Sequence, residues 1–354
     1  MNLNPIINNF QRPIRKVQIC CILIFSCAAC SLNIPYENQY SDPDAITTVT
    51  AARELLASAY DAIPKPEFSL SVLSDDFQPT FLINLNADLN NLYKWHPKPM
   101  EDLSNSLWEK YYSAIAIANT VLERIHYVSP ISDSDKQELQ CIVSEAKTLK
   151  AYCYFNLLRL FAPTYPEGPE KDGIILKERF ELAFLKRSSI SECVNAIRQL
   201  LTEAVTVDNR PSQVYWFSRQ SAYYLLAALE LYAENYDKAE EYALKILSST
   251  NAYDVLAPVH YKKLWEQEPC EECIFSLHTT NSYYTDMNYE RKKGDYFTIN
   301  STLTQLYAAN DIRYEATVYP QEMPGESIGE TLPVLYLGKY NKQNWNYKPI
   351  QYIN

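Results

Sequence analysis

Arg219–Ser249 reads RQSAYYLLAALELYAENYDKAEEYALKILSS, and its apolar positions decide the fold class. Ala222, Leu225, Leu226, Leu229, Tyr232 and Ala233 recur at three- and four-residue spacing, which lines one face of a helix. Asn235-Tyr236 then make a turn. Asp237 with Glu240 is the capping pattern of a second helix, which carries Ala239, Tyr242, Ala243 and Ile246. Alanines at facing positions let the two helices approach closely.

Such a unit looks like a tetratricopeptide pair, and less regular relatives of it lie upstream. Ser106 with Glu109 makes a capping pattern followed by Leu107, Tyr111, Ala114, Ile115, Ala118, Leu122 and Ile125. The next helix opens near Asp133 or Asp135, carries Ile142, Ala146, Leu149, Cys153, Leu157 and Leu160, and stops before Pro163. Ser189 with Glu192 starts another, striped by Val194, Ile197, Leu200, Leu201, Ala204 and Val205. The expected helix starts, near 106, 134, 189, 219 and 238, are too unevenly spaced for a strict repeat array. The fold expected is mostly α: irregular tetratricopeptide-like helical pairs with long loop insertions and a few short strands. Past residue 250 the helical period fades. Ile274–His278 alternates as a short strand, Ser301–Ala309 reads as one more short helix, and Pro320, Pro324, Pro333 and Pro349 predict loops with short strands.

Composition narrows the chemistry. The 354 residues contain six glycines, no two closer than four positions, which argues against a Gly-rich phosphate loop and hence a nucleotide cofactor. No cofactor is expected. A net charge of −11 repels phosphate and argues against nucleic acid. Tyrosine is abundant, at 29 residues, beside 12 Phe and 5 Trp. The histidines at 96, 126, 260 and 278 form no HExxH and no Ser/His/Asp order. Asp75-Asp76 are adjacent on an extended segment and point to opposite sides, so they do not build the facing carboxylates of a glycosidase. No enzyme is expected. Cys270 and Cys273 form a lone CxxC, read as a buried or disulfide-forming pair rather than a zinc site, since zinc needs two more ligands.

At the N-terminus, Arg12, Arg15 and Lys16 precede an apolar run, Val17–Phe25, interrupted only by Gln18. That run is shorter than the ~20 residues of a membrane-spanning helix and fits an export signal. It ends in Ser26-Cys27-Ala28-Ala29-Cys30, where small residues precede a cysteine as in bacterial lipoproteins. Cys30 is the expected lipidated residue, with Cys27 the alternative. The expected organisation is a signal peptide at 1–29, a polar, proline-containing tether at 30–45 and a helical-repeat domain at 46–354.

Several segments, in order, resemble the SusD-like (RagB/SusD) family of outer-membrane lipoproteins. They are the cysteine followed by Leu32, Pro35 and Tyr36; Ser74-Asp75-Asp76; Trp108 with Tyr112, Ile115, Ala118 and Asn119; and the block Glu145–Phe161, the most specific piece. Arg187-Ser188-Ser189, Ser221–Ala243, Ile274-Phe275-Ser276, Asp311-Ile312-Arg313 and Lys339-Tyr340 follow. The resemblance implies a lipid-anchored, surface-exposed protein of the outer membrane. It would capture a glycan without cleaving it and deliver it to a TonB-dependent, SusC-like transporter. The family continues past its Lys-Tyr strand into a final helical pair, for which this sequence shows no counterpart.

Sugar rings stack their C–H faces on aromatic side chains while amides and carboxylates meet the hydroxyls. The platforms are expected in the insertions. The first candidate is the loop Asn90–His96, where relatives place ligand contacts, with Trp95 as platform and Asn91 as hydroxyl partner; Asp76 is a further polar candidate. The second is Tyr283, Tyr284 and Tyr289. Tyr223, Tyr224, Tyr232, Tyr236 and Tyr242 are assigned to helix packing. The alternative is a helical-repeat envelope scaffold binding protein partners, with its aromatics buried between helices.

Overall fold

The computed structural model describes residues 46–74, 76–179, 184–249, 273–277, 296–325 and 329–337, together with 261, 263, 265 and 327. The expected signal peptide and tether with Cys27 and Cys30, Asp75, His260, Cys270, His278, the tyrosines at 283, 284 and 289, Lys339-Tyr340 and Pro349 lie outside the described residues.

Helix α1, Val49–Asp61, is capped by the Thr48 hydroxyl, which accepts from the Ala51 N–H. A short α2, Glu67–Leu73, leads to β1, Phe77–Pro79, a 3-10 turn at Phe81–Leu85 and α3, Ala87–Tyr93. The long α4 spans Pro97–Arg124. It starts well before Ser106, so the Ser106/Glu109 pattern lies mid-helix and caps nothing. Pro97 and Pro99 sit in its first turn, where N–H groups have no intrahelical acceptor and proline costs nothing. The expected stripe is real: Leu107, Tyr111, Ala114, Ile115 and Ala118 are buried.

Helix α5, Asp133–Phe161, opens with a reciprocal cap between Ser132 and Asp135. It packs against α1 and α4 and against two later helices, α6 (Ile190–Ala204) and α7 (Arg219–Tyr232). Neighbours on all sides explain why nearly every residue from Ser144 to Leu158 is buried, polar ones included. Three of those polar side chains bond to backbone: Ser144 Oγ donates to the Ala204 carbonyl, Thr148 Oγ1 to the Ser144 carbonyl and Asn156 Nδ2 to the Tyr152 carbonyl. The Ser189/Glu192 cap of α6 forms as expected. Helix α8, Tyr236–Leu247, packs on α7 as the paired unit predicted. It begins two residues earlier than the Asp237/Glu240 pattern suggested, with Asp237 inside the first turn, where its charge meets the positive end of the helix.

Between α5 and α6 the chain runs extended at 173–178, and two tyrosines take the place of a neighbouring strand. The Tyr112 hydroxyl donates to the Ile175 carbonyl and accepts from its N–H, at 2.8 and 2.9 Å. Tyr154 does the same with Lys177, at 2.7 and 2.8 Å. Part of the tyrosine excess is therefore structural. Gly173 sits where a Cβ would come within 2.8 Å of the Cys193 sulfur, so only glycine allows this close approach.

Strand β2, Phe297–Ile299, pairs antiparallel with β1 in the register Phe77↔Ile299. Two short helices follow, α9 (Ser301–Thr304) and α10 (Ile312–Thr317), so the helix expected over 301–309 is confined to its first turn. Strands β3, Val318–Pro324, and β4, Thr331–Leu337, form an antiparallel ribbon that contains Pro320, Pro324 and Pro333. In a two-stranded ribbon each strand keeps one edge free, so a missing N–H can face outward and the prolines break nothing. Residues 273–277 join no ladder among the described residues. Instead the Ser276 N–H donates to Val214, and Phe275 stacks on Phe217 with centroids 4.0 Å apart.

The apolar interior has two parts. The main core follows α1 and α4–α7. A satellite of Val72, Phe77, Ile83, Leu92 and Phe297 lies under α2, α3 and the β1–β2 ladder, with Phe68 and Leu103 touching both.

Candidate functional site

The satellite core carries the first predicted patch on its rim. Helix α3 is capped by Asn86, whose Oδ1 accepts from the Leu89 N–H, and it buries Leu92. Part of the expected Asn90–His96 loop is thus helical, and only Lys94–His96 turn. The turn closes with Trp95 N–H donating to Leu92 at 2.9 Å and His96 N–H to Asn91 at 3.0 Å. This is the left-handed helix ending usually built on glycine. Here the left-handed residue is Trp95, at φ 57°.

A bulky residue in that region is strained by roughly 1–2 kcal/mol. Burial of the ring does not compensate, because Trp95 is 61% exposed. The geometry therefore spends conformational energy to hold a flat indole face in solvent. Near it in sequence, Leu85 is 76% exposed, and the Asn90 amide donates to Asn84 Oδ1 at 3.4 Å. Asn91, half-buried, is tied to the same turn through its carbonyl.

Asp76 is exposed at the entrance to β1, where its carbonyl accepts from Asn300 N–H at 2.9 Å. The chain following the tyrosine-rich stretch returns to this region: Phe297 packs on Tyr93, centroids 5.9 Å apart, two residues before Trp95. The structure thus joins Asn91 to Trp95 in one turn and sets Asp76 on the ladder that shares their small core.

Two clefts escaped the sequence reading. One, of about 480 Å³, opens between the β1–β2 ladder and the β3–β4 ribbon and is lined by Gln78, Thr80, Phe81, Thr298, Glu330 and Val334. It depends on a pairing between residues more than 200 apart, for which no local pattern exists. The other, of about 520 Å³, lies beside α1, α5 and the α6–α7 connection. There Arg53 donates to Glu138 and Glu145, both at 2.8 Å, and lies over the Trp216 ring at 5.2 Å. Burial pushes the Glu145 carboxyl up, while Arg53, Asn209 and Tyr60 all favour its charged form. Tyr60 in turn accepts from Phe217 N–H at 2.8 Å. With these partners the carboxylate is a structural joint. Among the described residues no group of three or more His, Cys, Asp or Glu is placed to hold a metal ion.

Comparison with known proteins agrees with this architecture. A SusD-like protein of Formosa agariphila is 25% identical over 232 residues, 63% of this chain and 42% of that protein. The chain thus spans less than half the length of that relative. Among solved structures, a SusD-like carbohydrate binding protein from Bacteroides vulgatus superposes with a TM-score of 0.69 at 17% identity, covering 87% of this chain and 69% of its own. A laminarin binding SusD-like protein gives 0.64 at 20% identity, covering 86% and 76%. Surface glycan-binding protein A from Bacteroides uniformis gives 0.63 at 16%, covering 85% and 72%. Residues 35–231, more than half of the sequence, match the SusD-like family described as "Starch-binding associating with outer membrane", and the chain belongs to that family.

Proposed function

We propose that this protein captures an oligosaccharide at the cell surface, anchored by lipid at Cys30, and delivers it unaltered to a TonB-dependent, SusC-like transporter. The observation that carries the binding half is Trp95: an exposed ring on a left-handed turn where glycine would be less strained. Asn91 and Asp76 supply hydroxyl partners, and Tyr283, Tyr284 and Tyr289 supply further platforms. Two or three stacking rings at about 1 kcal/mol each, with a few hydrogen bonds, correspond to affinities of roughly 1 mM to tens of μM. Such capture is weak singly and gains from repeated sites along a polymer. The names of the relatives, which bind carbohydrate, glycan or laminarin, support the ligand class.

Affinity electrophoresis across a polysaccharide panel tests the reading. At least one polysaccharide should retard the wild type, and Trp95→Ala should abolish or sharply weaken that retardation. Unchanged retardation in Trp95→Ala would remove the proposed platform and favour the scaffold alternative. Incorporation of labelled fatty acid, lost in Cys30→Ala, tests the anchor.

A further inference from the structure

A third cavity, of about 310 Å³, lies where α7 and α8 meet the α6–α7 connection. Its charged lining is Arg210, Arg219 and Lys245 against one carboxylate, Asp208. Asp208 Oδ1 accepts from Arg210 Nε at 2.9 Å and from Arg219 Nη1 at 3.1 Å. Two guanidinium groups thus share one carboxylate oxygen, and a positive charge is left over. Arg219 is held in place by a second bond, from its Nε to the Val205 carbonyl at 2.8 Å. Lys245 bonds Glu241 at 2.9 Å and lies 5.5 Å from the Tyr223 ring centroid, so its ammonium stays at the wall of the cavity. Arg219, held by two bonds, and Lys245, held by Glu241, are thus preorganised, which lowers the ordering cost of binding an anion.

In a chain of net charge −11, a local positive excess is not a general property of the surface. The neighbouring cleft makes the contrast. It shares Asp208 and Arg210, but there Arg53 is already answered by Glu138 and Glu145. We infer that the α7–α8 cavity binds an acidic saccharide unit, one sugar ring bearing a sulfate or carboxylate group. The anion would sit among Arg210, Arg219 and Lys245, with the Gln220 amide and the Tyr223 ring beside the sugar. The volume falls at the small end of ligand pockets, suited to one ring and its charged substituent. This site is separate from Trp95; that its ligand is a sugar rests on the proposed glycan-binding function, whereas its binding of an anion does not.

Titration calorimetry of the whole chain at low ionic strength, with inorganic sulfate, glucuronate and glucose, tests it. Sulfate and glucuronate should bind in the millimolar range, and glucose should bind at least tenfold more weakly. The double variant Arg210→Gln/Lys245→Gln should weaken both anions at least tenfold, whereas Trp95→Ala should leave them unchanged. The two substituted side chains are 77% and 42% exposed, so the variant should keep the wild-type circular dichroism. Anion affinity unaltered in the double variant, or glucose binding as well as glucuronate, would overturn the proposal. So would tighter binding of a glutamate-rich peptide than of glucuronate, which would point to a protein partner.

Discussion

Two turns in this molecule share one backbone conformation and differ in what they display. Trp95 ends α3 on the satellite core, and Glu234 ends α7 in the paired-helix region, both left-handed at φ 57° and 58°. Each is closed by the same pair of bonds, and Asn235 N–H donates to Glu230 at 2.8 Å where His96 donates to Asn91. Glu234 presents a charge that water welcomes, whereas Trp95 presents an indole that water does not. The same strain carries an exposed carboxylate in one region and an exposed flat ring in the other, and the proposed function makes that ring a ligand platform.

Buried carboxyls divide the two regions in the same way. Glu145, on α5, is met by Arg53, Tyr60 and Asn209. Glu67, at the start of α2 and next to Phe68 of the satellite, has a buried Oε2 with no hydrogen-bond partner. Burial pushes its carboxyl up to about 7, with a hydrogen bond from its own backbone N–H and then the charge of Lys65 pulling the other way.

The strongest test of this contrast is Arg53→Ala, which leaves Glu145 buried without its cation. A loss of about 3–5 kcal/mol is expected in denaturant unfolding. A loss under 1 kcal/mol would show that the main core does not depend on that joint.

Glu67→Gln should act in the opposite sense. Between the ordinary carboxylate range and about pH 7, folded Glu67 keeps a proton that the unfolded chain has released. Stability therefore falls as pH rises through that window and is level above it. Relative to wild type, the glutamine variant should gain on the order of 3 kcal/mol at pH 8 and nothing at pH 4. A pH-independent difference would mean that Glu67 is solvated.

The smallest effects sharpen the comparison most. Trp95→Gly and Glu234→Gly should each stabilise by about 1 kcal/mol, by relieving the left-handed strain. Only Trp95→Gly should lose polysaccharide retention. Destabilisation by Trp95→Gly would instead make the ring a packing element.

The pairing of α7 with α8, the burial of Ala146, Leu149, Cys153 and Leu157, and the Ser189/Glu192 cap were legible because helix periodicity and capping are local. The α4 start at Pro97 was missed because Ser106 with Glu109 matches a capping pattern that also occurs inside a helix. Trp95 could be picked as an aromatic outside any helical stripe, but nothing in its neighbours announced a left-handed backbone.

What the order of residues determined alone is a set of helices whose apolar stripes, three and four residues apart, must find one another. Tertiary structure decided the rest. Phe77 and Phe297 meet across a ladder closed over more than 200 residues, Asp208 gathers two arginines from one connection and one helix, and Tyr112 and Tyr154 stand in for a strand. The physical reason is range: a helix forms its hydrogen bonds four residues away, whereas a cleft exists only after distant segments have given up their chain entropy to stand side by side.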